Sequence, residues 1–203
     1  MTLTHYTGSF TFYTFLQKTL YSLYDKKIAG NYISFIHALG AVILTTLYKY
    51  KQENVFYRSL QLWATGYLTT DTLSMVRNKK FGILHLAYMY HHLATLYIIH
   101  KNPQHYMGNE LVFWGELSNL PTYFVYHYLH TLPPDVQKII FWKWVQKYFY
   151  TIIRIPIVGV VAYRMIKNAP TKGPVAIVAP IYLMGVIWTA KILRQSKMKR
   201  LKE

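Results

Sequence analysis

The chain of 203 residues contains no cysteine, which excludes disulfides and cysteine-ligated zinc. Acidic residues are scarce, seven against 23 Lys and Arg, so the net charge is +16 although only 15% of residues are charged. Such an excess can mark a nucleic-acid-binding protein. Here, however, the basic residues form no stripe along a polar surface. They sit in short clusters between apolar runs: Lys26 and Lys27, Lys49 and Lys51, Arg77 with Lys79 and Lys80, and the stretch from Lys191 to Lys202. Membrane proteins flank their spans in this way, and the pattern argues against nucleic acid as a partner. The first residues carry no basic n-region or cleavage signature, so no cleavable signal peptide is expected and targeting falls to an internal span. No internal repeat or low-complexity linker appears, and a single domain is expected. Ser118 has no GxSxG elbow, which weakens a serine-hydrolase reading. The histidine boxes of membrane di-iron enzymes are missing, and adjacent histidines diverge too far to ligate as HExxH does, so no metal is expected.

What is present is apolar and aromatic: 53% hydrophobic residues and 17% Phe, Trp and Tyr. A helix needs about 20 mostly apolar residues to cross a bilayer. Six segments come close, at 31–47, 55–76, 81–99, 107–129, 138–166 and 174–191. The fifth is too long for a straight span and should tilt or extend. Pro121 and Pro156 fall inside spans and should kink them locally. None of the segments is purely aliphatic, as suits a bundle that shields polar faces from lipid. The fold class expected is therefore all-α, a polytopic transmembrane helix bundle. The N-terminal segment 1–30 contains an aromatic, apolar stretch that also carries Gln17 and Lys18, so it is a weak first span or an interfacial helix. Charge favours seven spans. One side then collects Lys26, Lys27, Arg77, Lys79, Lys80 and the tail, the other mainly Lys49, Lys51, Lys101 and Lys172. The positive-inside rule places the C-terminus in the cytosol and the N-terminus opposite; with six spans both ends would be cytosolic.

Four spans carry ionisable groups near their middles. These are His37, the adjacent His91 and His92 in "YMYHHLATLYIIH", Glu116, and Arg154. A charged side chain at the bilayer centre costs about 2.5–3.5 kcal/mol on insertion scales. The least costly arrangement turns these groups toward one another or toward water inside the bundle. Asp71 lies nearer the cytosolic end, with Tyr67 one turn before it on the same face. Adjacent helical residues point about 100° apart, so His91 and His92 cannot both face lipid comfortably. Thr95 follows them by four and three residues, within reach of either ring. Bland readings exist beside these. Asp71 and Arg154 could form a structural ion pair, His37 could bond helix to helix, His85 could be interfacial, and Glu110 could be solvated.

The stretches "SFIHAL" (Ser34–Leu39), "GYLTTD" (Gly66–Asp71), "HHLAT" (His91–Thr95) and "GELSN" (Gly115–Asn119) occur in one order. Arg154 follows in "IIRIP" and Trp188 in "VIWTAKI". Together they resemble the TLC-domain membrane proteins, the family of the ceramide synthases, and most of all its short members. The likeness covers roughly 31–195, leaving 196–203 as a basic cytosolic tail. It implies six core helices curved around a polar central cavity, often preceded by one more. It implies an endomembrane such as the endoplasmic reticulum. The tail "KMKRLKE" has leucine third from its end, so it is not a dilysine signal and could instead anchor to anionic lipid. In ceramide synthases an acyl group passes from acyl-CoA to a sphingoid amine. The paired histidines match His91 and His92, and the acidic motif matches "GELSN". The sequence departs from that motif at Gly115, where the synthases have histidine, at Glu116, where they have aspartate, and at Asn119, where a second aspartate is lost. It departs again at Val186.

A catalytic reading follows. A neutral imidazole of His91 or His92 acts as general base toward an amine or hydroxyl, or attacks a thioester, with Glu116 fixing the ring. His37, Tyr67, Asp71, Thr95, Ser118, Asn119 and Arg154 support the site, and Arg154 balances Glu116 or meets a lipid or CoA phosphate. No bound cofactor is expected, and acyl-CoA enters as co-substrate. The alternative is a non-catalytic protein of lipid binding or membrane composition, in which the same polar core holds a headgroup. A transporter is weaker, for want of an inverted repeat and paired broken spans. The oligomeric state is open in the sequence.

Overall fold

In a computed structural model the described residues are 3–77, 82–101, 106–169 and 173–200. The side chains of Lys79, Lys80, Lys101 and Lys172 and of the tail from 196 lie outside that description. The described chain is all-helical. Its helices are α1 (Leu3–Leu23), α2 (Lys26–Lys51), α3 (Asn54–Arg77), α4 (Ile83–Lys101), α5 (Tyr106–His130), α6 (Val136–Lys167) and α7 (Gly173–Arg200). The segments Lys26–Lys51, Val136–Lys167 and Val175–Gln195 are long and apolar enough to cross a membrane. The other helices match the expected segments in position but are less apolar, because aromatic and hydroxyl side chains dilute their hydropathy. Large apolar side chains face outward, among them Phe15, Leu93, Ile140 and Ile187, as on a surface made for hydrocarbon.

The helix ends follow from local chemistry. Asp25 starts α2 by accepting from the Lys27 N–H at 2.9 Å. Gln52 ends it in the left-handed region (φ 53), its N–H returning to the Tyr48 carbonyl. Asp135 caps α6, taking the Lys138 N–H at 3.0 Å and the Lys138 ammonium at 3.1 Å. The Lys138 amide and ammonium hold its carboxyl below the ordinary range. Pro121 lies inside α5 without interrupting it. Pro156 lies in a π-helical stretch, Tyr150–Ile157, within α6. The disturbance expected at Pro156 thus takes the form of a wider turn, which absorbs the missing N–H. Pro180, inside α7, is a third such position.

The chain divides into two compact units between Phe113 and Trp114, inside α5. A cut within a continuous helix leaves no linker composition to betray it. In the first unit α3 packs against α1, α2 and α4. Helices in lipid gain little from the hydrophobic effect and associate through close packing and interhelical hydrogen bonds. Both devices are present. A side-chain carbon at Gly66 would sit 2.8 Å from the Ser9 carbonyl oxygen, so only glycine lets α1 approach here. The Ser9 hydroxyl then donates to the Leu62 carbonyl at 2.5 Å. Gly40 faces the Trp63 indole, whose N–H donates to the His37 carbonyl at 3.0 Å. Tyr13, Ile33, Ala64, Tyr67, Leu68 and Ile99 form the buried core between these helices.

In the second unit α7 packs along α6, with Tyr182 lying over Gly159 and donating to the Ile155 carbonyl at 3.1 Å. The part of α5 that belongs to this unit is tied to α6 by Phe124 stacked on Trp142 (4.1 Å) and by Gln146 donating to the Thr122 hydroxyl at 3.0 Å.

Candidate functional site

In the first unit the polar groups of α1, α2, α3 and α4 meet. His92 is buried, while His91 beside it is only partly so. Their ring centroids are 6.0 Å apart and their planes 52° apart. His92 Nδ1 lies 3.0 Å from the Thr72 hydroxyl, and Nε2 lies 3.6 Å from Asp71 Oδ2. Both ring nitrogens therefore address consecutive residues of α3. Thr95, expected to approach a histidine ring, makes no hydrogen bond to either; Thr72 on the neighbouring helix occupies that role for His92.

His37 is buried and stacks on Tyr67, with centroids 4.0 Å apart and planes within 12°. The Tyr67 hydroxyl shares a hydrogen bond of 2.9 Å with Ser34, and the Tyr67 ring lies 6.3 Å from that of His92. Tyr67 and Asp71, one turn apart, line a single small cavity of about 20 Å³ together with Gln17, Tyr21, Ser34 and Thr70. That is room for about one water molecule.

In the second unit "GELSN" forms a seat for Arg154. The guanidinium is buried. Its Nε donates to the Ser118 hydroxyl at 2.6 Å, and Nη2 donates to the Asn119 amide oxygen at 2.6 Å and the Gly115 carbonyl at 3.1 Å. The Ser118 hydroxyl passes its own hydrogen to the Gly115 carbonyl at 2.7 Å, which leaves its lone pairs for the arginine. The Asn119 oxygen has both acceptor sites filled, since it also accepts from the Tyr150 hydroxyl at 3.0 Å, and the Asn119 nitrogen donates to Glu116 Oε2 at 3.3 Å. The Tyr150 ring lies 5.2 Å from the guanidinium carbon. The π-helical stretch carries both Tyr150 and Arg154, and the arginine stem packs beside Gly185 on α7.

Of the residues singled out in the sequence, His37, Tyr67, Asp71, His91, His92 and Thr95 belong to the first unit. Glu116, Ser118, Asn119 and Arg154 belong to the second. Within its own unit the carboxylate at His92 is Asp71. Sequence reasoning missed Thr72, Ser34 and the α1 residues Gln17 and Tyr21. Gln17 was visible only as a polar blemish in a weak span. Tyr150 was missed too, although it lies four residues before Arg154. Among the described residues no group of three or more His, Asp or Glu side chains could hold a metal ion.

No protein-family model, no curated protein and no solved structure matches the chain. The class defined by fold and composition is an all-helical protein with three helices able to span a membrane and buried polar clusters between its helices.

Proposed function

We propose that the protein is a membrane lipid enzyme of the TLC type, built on six core helices with α1 added, that transfers an acyl group from acyl-CoA to a lipid amine or hydroxyl. The observation that carries this reading is the His92–Asp71 pair, with Thr72 on the other ring nitrogen. A hydrogen bond on one nitrogen of an imidazole fixes its tautomer, and a carboxylate nearby favours the imidazolium that forms when the ring accepts a proton. In the proposed step His92 takes the proton of the acceptor amine or hydroxyl as its heteroatom attacks the thioester carbonyl. The C–S bond breaks, the amide or ester bond forms, and the proton passes to the departing CoA thiolate. Asp71 takes the role of partner that the sequence alone gave to Glu116. Arg154, held by neutral acceptors, is left to balance Glu116. An endomembrane location with a cytosolic tail belongs to the same proposal.

The size of the first unit's cavity supports a second reading. About 20 Å³ suits the tip of a headgroup and not an acyl chain, as in a protein that holds lipid without transforming it. Incubating purified protein with acyl-CoA and a lipid extract separates the two. Acylated lipid and free CoA support transfer, whereas intact lipid retained without CoA release supports binding.

A further inference from the structure

The cavity between α1, α2 and α3 has a chemical bias that follows from where its hydrogens go. The Ser34 hydroxyl donates to the Gly30 carbonyl at 3.0 Å, and the Thr70 hydroxyl donates to the Gly66 carbonyl at 2.7 Å. Because the Ser34 hydrogen is committed, Tyr67 must be the donor in the 2.9 Å bond between them. The Gln17 amide donates to Tyr21 at 3.0 Å and faces Ser74 at 3.4 Å. Tyr21 alone keeps an uncommitted hydrogen. The rest of the polar lining is oxygen lone pairs plus one carboxylate, set beside Ile33 and Gly30. Asp71 accepts no hydrogen bond from the described residues, and the closest basic atom to it is His92 Nε2 at 3.6 Å.

The Asp71 side chain is 33% exposed, and a carboxylate partly withdrawn from water is costly to the extent that charge or donors do not compensate it. A water molecule would bring two donors but no charge. From this lining we infer that the cavity is a binding site for one small monovalent cation, an alkali metal ion or the –NH3+ tip of a lipid, held by Asp71 and by the oxygens of Gln17, Ser34, Tyr67 and Thr70. A volume of about 20 Å³ suits a water-sized ion better than a trimethylammonium group. The inference needs no acyl chemistry, but it shares Asp71 with the enzyme proposal: a bound cation and a His92 imidazolium 3.6 Å away compete for one carboxylate, so cation binding is read from stability and acyl transfer from CoA release. It makes α1 part of a site, since Gln17 and Tyr21 come from that helix.

The test is the thermal midpoint of the full chain in detergent, at constant chloride, with choline chloride replaced stepwise by NaCl, KCl or 2-aminoethanol hydrochloride. The site predicts a saturable rise with at least one small cation, about 3–6 °C at ten times its dissociation constant, and none with choline. A response to sodium or potassium identifies an alkali-ion site; a response to 2-aminoethanol alone identifies an ammonium site. Asp71→Asn abolishes the rise. Thr70→Val and Ser34→Ala, milder changes that keep a folded reference if Asp71→Asn fails, weaken the apparent affinity by about 2–10-fold each. Equal midpoints for wild type in all four salts overturn the inference. So does an undiminished rise in Asp71→Asn, or unchanged affinity in both milder variants.

Discussion

A buried guanidinium is tolerated only if its N–H groups are met, and Arg154 relies on a short stretch of α5 for that. Ser118→Ala removes the acceptor of Nε while leaving the charge in place. An unmet buried donor costs about 1–3 kcal/mol, more when it is charged. The expected result is a fall in thermal midpoint of about 2–4 °C for each kcal/mol. An unchanged midpoint in Ser118→Ala would mean that the guanidinium finds another acceptor. At His92 the same reasoning predicts asymmetry within the histidine pair. His92→Ala loses the ring that addresses Thr72 and Asp71, whereas His91→Ala leaves both contacts intact. Any lipid-modifying activity should therefore fall about 10²–10⁴-fold in the first variant and far less in the second; equal losses would contradict the assignment. Residue types and positions along the spans singled out Asp71, His92 and Arg154, and the family resemblance added Ser118 and Asn119. Their partners were not legible in the sequence. A histidine in the middle of a helix names no neighbour, and whether Thr95 or Thr72 meets it depends on how α3 and α4 pack.

The helices themselves were legible from composition. Basic clusters bracket apolar stretches, and five of the six expected spans lie within observed helices; the third, 81–99, begins before the start of α4 at Ile83, and residue 81 lies outside the described residues. Less legible was what lets the helices touch. Gly66 and Gly40 look alike in sequence to Gly30, yet only the first two would place a side chain into a neighbouring helix. Gly66→Val should push α1 away from α3 at a cost of about 1–3 kcal/mol, seen as faster amide exchange in α1. Gly30→Ala, with open space around it, should leave exchange unchanged. The cap at Asp135 has a pH signature. Its carboxyl is held below the ordinary value, so its contribution to the start of α6 is full above that value and is lost as pH falls through the lower, folded-state value. Protection of the first amides of α6, taken relative to the intrinsic exchange rate at each pH, should fall over that acidic window and should stay constant there in Asp135→Asn.

At the scale of the whole molecule the charge distribution predicts opposite sides for the two ends if α1 and the six helices that follow it all span the membrane. A tag behind Glu203 should react from the cytosol and a tag before Met1 should not. Reactivity of both from the cytosol would make α1 an interfacial helix. What the molecule does with its buried polar clusters was only partly legible. The likeness in "HHLAT" and "GELSN" suggested acyl transfer, but the sequence could not say which carboxylate His92 would meet. The most direct measurement is CoA release by the purified protein in lipid nanodiscs, supplied with acyl-CoA and a lipid extract, for wild type, His92→Ala and Asp71→Asn. The account predicts CoA release matched by newly acylated lipid in wild type, with a loss of about 10²-fold or more in His92→Ala and a clear loss in Asp71→Asn. No CoA release from folded wild type, or full-rate release from His92→Ala, would contradict it.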